Sequence, residues 1–235
     1  MQVSHYKNIA VLGTSHIASS SVNEISDYIK SHKPDIVAVE LDRQRLVGLL
    51  SKEPQKATLS PTLIFKIGVV GFLFLLIGRY VQKKLGDVVG MTPGADMKQA
   101  VLEAQREQLR VALIDQDISV TLRRLSKAFT LREKWRFFAD LCLALVGRGP
   151  KVELQFDLKT VPSQELIVTL IGMLRERYPS LYRVLIDERN KVMARKLIML
   201  SKKNPQSHIL AVVGAGHVEG MMEYLKERYD QIEIT

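Results

Sequence analysis

Two runs of this 235-residue chain end in the same way. Ile9-Ala10-Val11-Leu12-Gly13-Thr14-Ser15-His16 aligns with Leu210-Ala211-Val212-Val213-Gly214-Ala215-Gly216-His217, identical at four of eight positions. Each is an apolar run of strand length closed by glycine, which permits a sharp strand-to-helix turn. A histidine there stands at the carboxyl end of a parallel strand, where open α/β sheets place their ligands. One Gly-x-x-His is weak, because a turn histidine is usually a capping or packing residue. Two copies in matching contexts point to one shared site.

Other polar residues fall at the same edge. Glu40 follows the apolar run Val37-Ala38-Val39. Asp115 and Asp117 close the run Val111–Ile114, and Arg123 lies about two helical turns beyond. Glu188 and Arg189 interrupt an apolar-periodic helix. Each also has a plain reading, as a strand-end carboxylate, a helix cap or a solvated pair. The chemistry these groups permit takes two forms. His16, His217 and Glu40 could hold a divalent metal, Mn²⁺, Co²⁺ or Zn²⁺, with an open water position. Without a metal, His16 or His217 could act as a general base near neutral pH, with Glu40 fixing its tautomer. Arg123 or Arg189 would then stabilise an oxyanion. There is no His-Glu-x-x-His, no P-loop and no Gly-x-Ser-x-Gly, so Ser15 is not read as a nucleophile.

These residues need a scaffold. Ile9–Leu12, a helix over 20–30, the turn Lys33-Pro34-Asp35 and the run Ile36–Leu41 form a β-α-β unit with parallel strands. A helix begins over 43–50. Helices are expected over 95–109, from 119 to 125 with a break before Thr130, over 131–146, 163–178, 180–201 and 218–229. Strands are expected over 110–114, 208–213 and 231–235. The fold class is therefore α/β: a central mixed, largely parallel sheet from two repeat-related halves, flanked by helices, as a single domain over 1–235. Residues 59–90 form an apolar helical insertion, and 119–149 a basic amphipathic helical segment. From Ile67 to Ile77 there are only apolar residues and glycine, a run shorter than the ~20 residues of a membrane span. It reads as a buried or interfacial helix, or as a hairpin that dips into a membrane or forms an oligomer.

Hydrophobic residues make up 46% and charged residues 25%, which excludes a disordered chain. The net charge of +9 suggests an acidic partner. The dense basic stretch from Arg123 to Arg136 interleaves Leu, Phe and Trp at helical spacing, and it fits a solvated or membrane-surface face. No nucleic-acid motif accompanies it, so nucleic acid is not an expected partner. The single cysteine, Cys142, excludes an intrachain disulfide, and its apolar setting suggests a buried thiol in a reducing compartment. Met1–Asn8 lacks the pattern of a signal peptide.

At these residues the chain resembles the TraB family, the pheromone-shutdown proteins, which are related to the TIKI proteases, the erythromycin esterases and the haem-binding ChaN-like proteins. The resemblance rests on Gly13-Thr14-Ser15-His16 with Ser19 and Ser21, Pro34-Asp35, Val39-Glu40-Leu41-Asp42 with Arg45, and Pro93-Gly94-Ala95-Asp96-Met97. It continues through Leu113-Ile114-Asp115-Gln116-Asp117-Ile118, Thr121-Leu122 with Arg123 or Arg124, Asp187-Glu188-Arg189-Asn190, Met193-Ala194 and Gly214-Ala215-Gly216-His217. Two positions depart from it. The family usually has Asp-Arg-Asp at 115–117, where Gln116 stands, and Glu-Arg-Asp at 188–190, where Asn190 stands.

The resemblance implies a metal-dependent hydrolase, peptidase-like, acting at or near a membrane. His16, Glu40 and His217 would be catalytic and metal-holding, Glu188 and Arg189 catalytic, and Ser15, Asp117 and Arg123 substrate contacts. A peptide or small molecule would be the substrate, an anionic membrane surface and a second copy of the chain the partners. The place would be the cytoplasmic face of a membrane, or the cytoplasm for a soluble part. The competing expectation is a non-catalytic, membrane-associated ligand- or peptide-binding protein; haem or metal-ion carriage is a third.

Overall fold

The computed structural model describes residues 3–14, 19–51, 62–89, 94–145 and 164–233. In chain order these form β1 (Val3–Tyr6), β2 (Ile9–Thr14), α1 (Ser19–His32), β3 (Ile36–Val39), α2 (Arg43–Leu50), α3 (Leu63–Val89), α4 (Ala95–Arg106) and β4 (Arg110–Leu113). Then come α5 (Ile118–Ala128), α6 (Leu131–Leu145), α7 (Gln164–Arg177), α8 (Pro179–Tyr182), a π turn (Arg183–Asp187), α9 (Glu188–Lys203), β5 (Ile209–Gly214) and α10 (Ala215–Arg228). The sheet order is β1-β2-β5-β3-β4, antiparallel only between β1 and β2. This is the mixed, largely parallel sheet that the apolar runs imply.

Alternation along the strands builds two cores. Ile9, Val11, Ala38, Ala211 and Val213 face Met193, Ala194 and Leu197 of α9 and Val218, Met221 and Leu225 of α10. Leu12, Val37, Val39, Leu210 and Val212 face Ile25 and Ile29 of α1 and Met97, Ala100 and Val101 of α4. Each fully buried Val, Leu or Ile stabilises the fold by about 1.5–3 kcal/mol of transfer free energy. Helix α1 leads from β2 along one face toward β3. Helix α10 leaves β5 on the opposite face and packs over β2 and β1. The gap between β2 and β5 is thus where the connections diverge, which in open α/β sheets is the ligand crevice.

The repeated motifs lie side by side at that gap, in a register with a consequence. Ile9 pairs with Ile209 and Thr14 with Gly214, so the copies are offset by one residue. A one-residue offset turns equivalent side chains to opposite faces. Val11 accordingly enters the α9–α10 core, whereas its counterpart Val212 enters the α1–α4 core.

Several elements differ from expectation. Strand β1 occupies a polar stretch for which no element is expected; its pairing through the Lys7-Asn8 turn, with Lys7 at φ 51°, supplies what its composition does not. Residues 231–233 form no strand. The expected helix over 180–201 runs through, but with a π turn set into it at Arg183–Asp187. Cys142 is exposed, because α6 turns its Phe137 side inward.

Over its described residues the apolar insertion is helical with a kink at Gly68, not a hairpin, and little of Leu63–Tyr80 is buried. Phe65, Val69, Leu73, Leu76 and Tyr80 form an outward stripe, while Ile67 is buried. The helix breaks direction at Gly68 (φ 77°, ψ 162°), a conformation that favours glycine. There Ser126 of α5 fills the break: its Oγ donates to Ile67 O and accepts from Gly71 N, both at 2.6 Å. Behind it Phe74, Phe129 and Phe137 cluster with centroids 5.3–6.3 Å apart. A Cβ on Gly71 would lie 2.6 Å from Leu122 O, a backbone atom that cannot retreat. Gly71→Ala is therefore expected to lower stability by about 1–3 kcal/mol. Gly78 meets nothing within 4 Å, so Gly78→Ala should be neutral or raise stability by up to ~1 kcal/mol. Thermal denaturation of the two variants checks both signs.

Candidate active site

Four chain segments converge at the carboxyl ends of β3, β4 and β5. Glu40 follows β3 directly and is buried. Its Oε2 accepts from the backbone N–H of Gly214 at 2.7 Å, tying it to the glycine of the second motif. Its Oε1 accepts from Arg189 Nη2 and lies 3.4 Å from His217 Nε2. Asp115, just past β4, takes Arg189 in a two-pronged pair: Nη2 to Oδ2 at 2.7 Å and Nε to Oδ1 at 3.2 Å. Such planar pairing suits arginine rather than lysine.

Arg189 is the hub, and the π turn seats it: Nη1 donates to Leu185 O of that turn at 3.3 Å and to His217 Nε2 at 3.2 Å. Single π turns recur at functional sites. Burial works against the guanidinium charge, but the carboxylates of Glu40 and Asp115 outweigh it and push its pKa above the ordinary arginine value. It is a permanent cation inside the site.

His217 lies in the first turn of α10, because that helix begins at Ala215 rather than Val218. The buried ring donates from Nδ1 to Asn190 Oδ1 at 2.6 Å. That bond selects the tautomer and leaves Nε2 as the acceptor facing Arg189 and Glu40. Gly220 makes it possible, since a Cβ there would collide with Asn190 Nδ2.

The other expected residues are placed differently. Glu188 forms a forked pair with Arg124, at 2.5 and 3.0 Å. Asp117 caps α5 by accepting from Ser119 N at 2.7 Å and takes Gln44 Nε2 at 3.2 Å. The Ser119 hydrogen bond, with Lys66 and Arg123 nearby, holds its carboxyl below the ordinary value. Arg123 is exposed and donates to Lys66 O at 3.2 Å, so it joins α5 to α3. Ser15 and His16 lie outside the described residues. The strand end before them is fixed by Thr14, whose hydroxyl donates to buried Asp96 of α4.

Asp115 stands in the sequence at the same edge as Glu40, with capping as its plain reading, and three further participants do not stand out there as site residues. Asn190 reads there only as an absent charge, and it is the partner of His217. Arg45 Nη1 donates to Asp115 Oδ2 at 3.3 Å and to Glu40 O at 3.4 Å. Lys196 Nζ donates to Asp115 O at 2.5 Å. Burial lowers the Lys196 pKa, opposed by Asp115 and Asp42. Lys196 stands seven residues after Arg189, two turns along one face of α9, which is a spacing the sequence does display.

A resident divalent metal can be tested against this donor set. Glu40 and His217 are joined by Arg189, which donates to both. A cation on those two ligands would meet the guanidinium at close range, so the described donors do not fit a metal while Arg189 is seated. Among the described residues no three His, Cys, Asp or Glu side chains are grouped to hold one.

Comparison with known proteins covers almost all of this architecture. Residues 2–233 match the TraB/PrgY/gumN family. The chain is 38% identical over 222 residues to an uncharacterised protein of Methanocaldococcus jannaschii, covering 94% of this chain and 54% of that one. It is 25% and 26% identical to the human and bovine TraB domain-containing proteins, covering 91% of this chain and 61% of theirs. It thus spans little more than half the length of these relatives. With both Gly-x-x-His segments inside the matched span, the chain belongs to the TraB/PrgY/gumN family.

Proposed function

We propose that the chain is a hydrolase that cleaves the bond between a carbonyl carbon and its leaving group, in a peptide or a small molecule, at the β3–β4–β5 strand ends. The observation that carries the reading is the tautomer of His217: Nδ1–H is committed to Asn190, and Nε2 faces Arg189 and Glu40. In the step we infer, a substrate carbonyl oxygen draws the Arg189 Nη1 hydrogen bond away from His217. The freed Nε2 takes a proton from water, and the hydroxide oxygen bonds to the carbonyl carbon. The oxyanion is held by Arg189 and Arg45; as it collapses, the bond from the carbonyl carbon to the leaving nitrogen or oxygen breaks, and His217 gives that atom the proton. Glu40 and Asp115 keep Arg189 in place.

The expected metal enters as a second route through the same residues. His16, Glu40 and His217 would be its ligands, and it would supply a polarised carbonyl and a more acidic water. It requires Arg189 to leave Glu40. Calorimetric titration of stripped protein with Mn²⁺, Co²⁺ and Zn²⁺, beside a hydrolysis screen of peptides and esters, separates the routes. Hydrolysis that persists in chelator supports the arginine–histidine route. Hydrolysis that appears only with metal, and tight binding lost in His217→Ala, would replace it.

A second reading, membrane-surface binding without catalysis, is favoured by α3. Leu63–Tyr80 has a mean hydropathy of 1.9 with only 11% of its residues buried. Patches of this kind mark interaction sites. The stripe has exposed Lys66 and Arg123 at one end, which suits an anionic surface, at the cytoplasmic face of a membrane. Sedimentation with vesicles containing phosphatidylserine should pull the protein down and weaken with salt, and Val69→Glu with Leu76→Glu should abolish it. A concentration-dependent dimer broken by the same pair would assign the stripe to a second copy instead.

A further inference from the structure

Strand β4 is the edge of the sheet. Arg110 N and Ile114 N donate inward, to Asp35 O and Val39 O at 3.3 and 3.1 Å. The two-residue period puts Ala112 on that side too, so the N–H and C=O groups of Val111 and Leu113 point outward. Among the described residues no strand pairs with them.

Beside this edge runs a groove of about 260 Å³ between the strand and α9. Ala112, Leu113, Ile114 and Met199 give it an apolar floor, and Lys196 and Lys203 give it two cations. Among the described residues no carboxylate side chain lines it. A lysine that only guards an edge against aggregation extends into water. Lys196 instead lies back, with Nζ on Asp115 O at 2.5 Å. Asp115 is the residue that holds Arg189. Asp115 thus links the Lys196 that lines the groove to the Arg189–Glu40–His217 cluster.

We propose that β4 receives an extended acidic peptide segment as an added strand, and that this strand carries its backbone into the site. Backbone pairing with Val111 and Leu113 gives affinity without sequence, as in other strand additions. The apolar floor takes alternate side chains. Of the side chains that turn to the α9 face, apolar ones meet that floor and acidic ones meet Lys203 and Lys196, while those between them turn to the other face. The inference rests on the hydrolase reading only for what happens after docking. It narrows the substrate to extended, acidic, unstructured peptide rather than a compact small molecule.

The test uses a fluorescein-labelled hexapeptide with valine and glutamate taking turns at every second position and threonine between them, a copy N-methylated at alternate amides, and a copy with lysine for glutamate. Fluorescence anisotropy on the full chain should show the glutamate peptide binding best. N-methylation should weaken it by about 10-fold or more, the loss of two to three backbone hydrogen bonds. Lys203→Glu should weaken it about 3- to 10-fold and improve the lysine peptide, since charge reversal at a rim acts modestly. In amide spectra Val111 and Leu113 should shift on titration. Equal binding of the N-methylated copy, shifts elsewhere in the chain, or a β4 edge already protected by a second copy would overturn the proposal. His217→Asn separates the two ideas. Peptide that binds as described but is cleaved by neither form upholds the groove and removes the hydrolase reading. Ester hydrolysis lost in His217→Asn, with no peptide binding, removes the groove alone.

Discussion

Arg189→Met should cost about 3–5 kcal/mol of stability, the range for stripping one partner from a buried ion pair. In a chain of this size that corresponds to a fall in Tm of roughly 6–20 °C. Glu40 and Asp115 have side chains only 5% and 3% exposed, and both rely on this guanidinium. Methionine matches its length and supplies no donor. Part of the loss is offset, because Gly214 N still serves Glu40, and Arg45 still serves Asp115. The deficit should depend on pH. A buried carboxylate stripped of its cation takes up a proton more readily than it does unfolded. The unfolded chain then holds fewer protons than the folded variant in the range above pH ~4, and stability falls as pH rises through that range. The gap between variant and wild type should thus be wider at pH 8 than at pH 5. Combining Arg189→Met with Glu40→Gln should recover part of the loss, which a double-mutant cycle reads directly. A Tm unchanged across this set would mean that Arg189 is not the hub.

That hub is only partly legible in the sequence. The strands β2, β3 and β5 are legible, because buried parallel strands are continuous apolar runs and cannot be disguised. Glu40 and His217 are legible too, because a polar residue that closes such a run stands at the carboxyl edge of the sheet. Arg189 is visible as a charge in an apolar-periodic helix, but its partners are not. Asp115 sits 74 residues away and Glu40 149, and no local pattern links them. Asn190 is opaque for a related reason. Its neutral side chain looks like a missing charge, and its use emerges only once α9 and α10 touch at Gly220.

The repeat is legible as letters and not as geometry. Matching runs suggest equivalent halves, yet the one-residue offset between β2 and β5 sends equivalent residues to opposite faces. Only side-by-side pairing in the sheet could reveal that. The α3 segment shows the reverse limit. Its apolar run predicts a helix, but hydropathy alone does not say whether protein, lipid or a second copy covers it. The break at Gly68 and the Ser126 clamp fix one side against α5 and leave the stripe from Phe65 to Tyr80 outward.

Under the arginine–histidine route, His217→Gln should lower the hydrolysis rate by about 10²- to 10⁴-fold, the usual contribution of a positioned general base. The fold should survive, because glutamine can still bond Asn190 from the first turn of α10. Two companion variants keep a catalytic role apart from a structural one. Asn190→Ala removes the acceptor for Nδ1–H, so the ring loses its tautomer and orientation while its Nε2 chemistry remains; the rate should fall less than in His217→Gln. Asn190→Asp makes the same bond charge-assisted. A carboxylate beside the imidazole favours its protonated form, so the acid limb of the pH profile of kcat/KM should move up by roughly 1 unit or more. A residue that merely props the helix would change Tm and leave that limb where it was. If His217→Gln loses activity in proportion to stability, and Asn190→Asp leaves the profile unmoved, His217 is a packing residue and the base must be sought elsewhere. If the limb moves, the neutral Asn190 in place of the usual carboxylate is a tuning device: it holds the imidazole in position while leaving Nε2 less basic than an aspartate partner would make it.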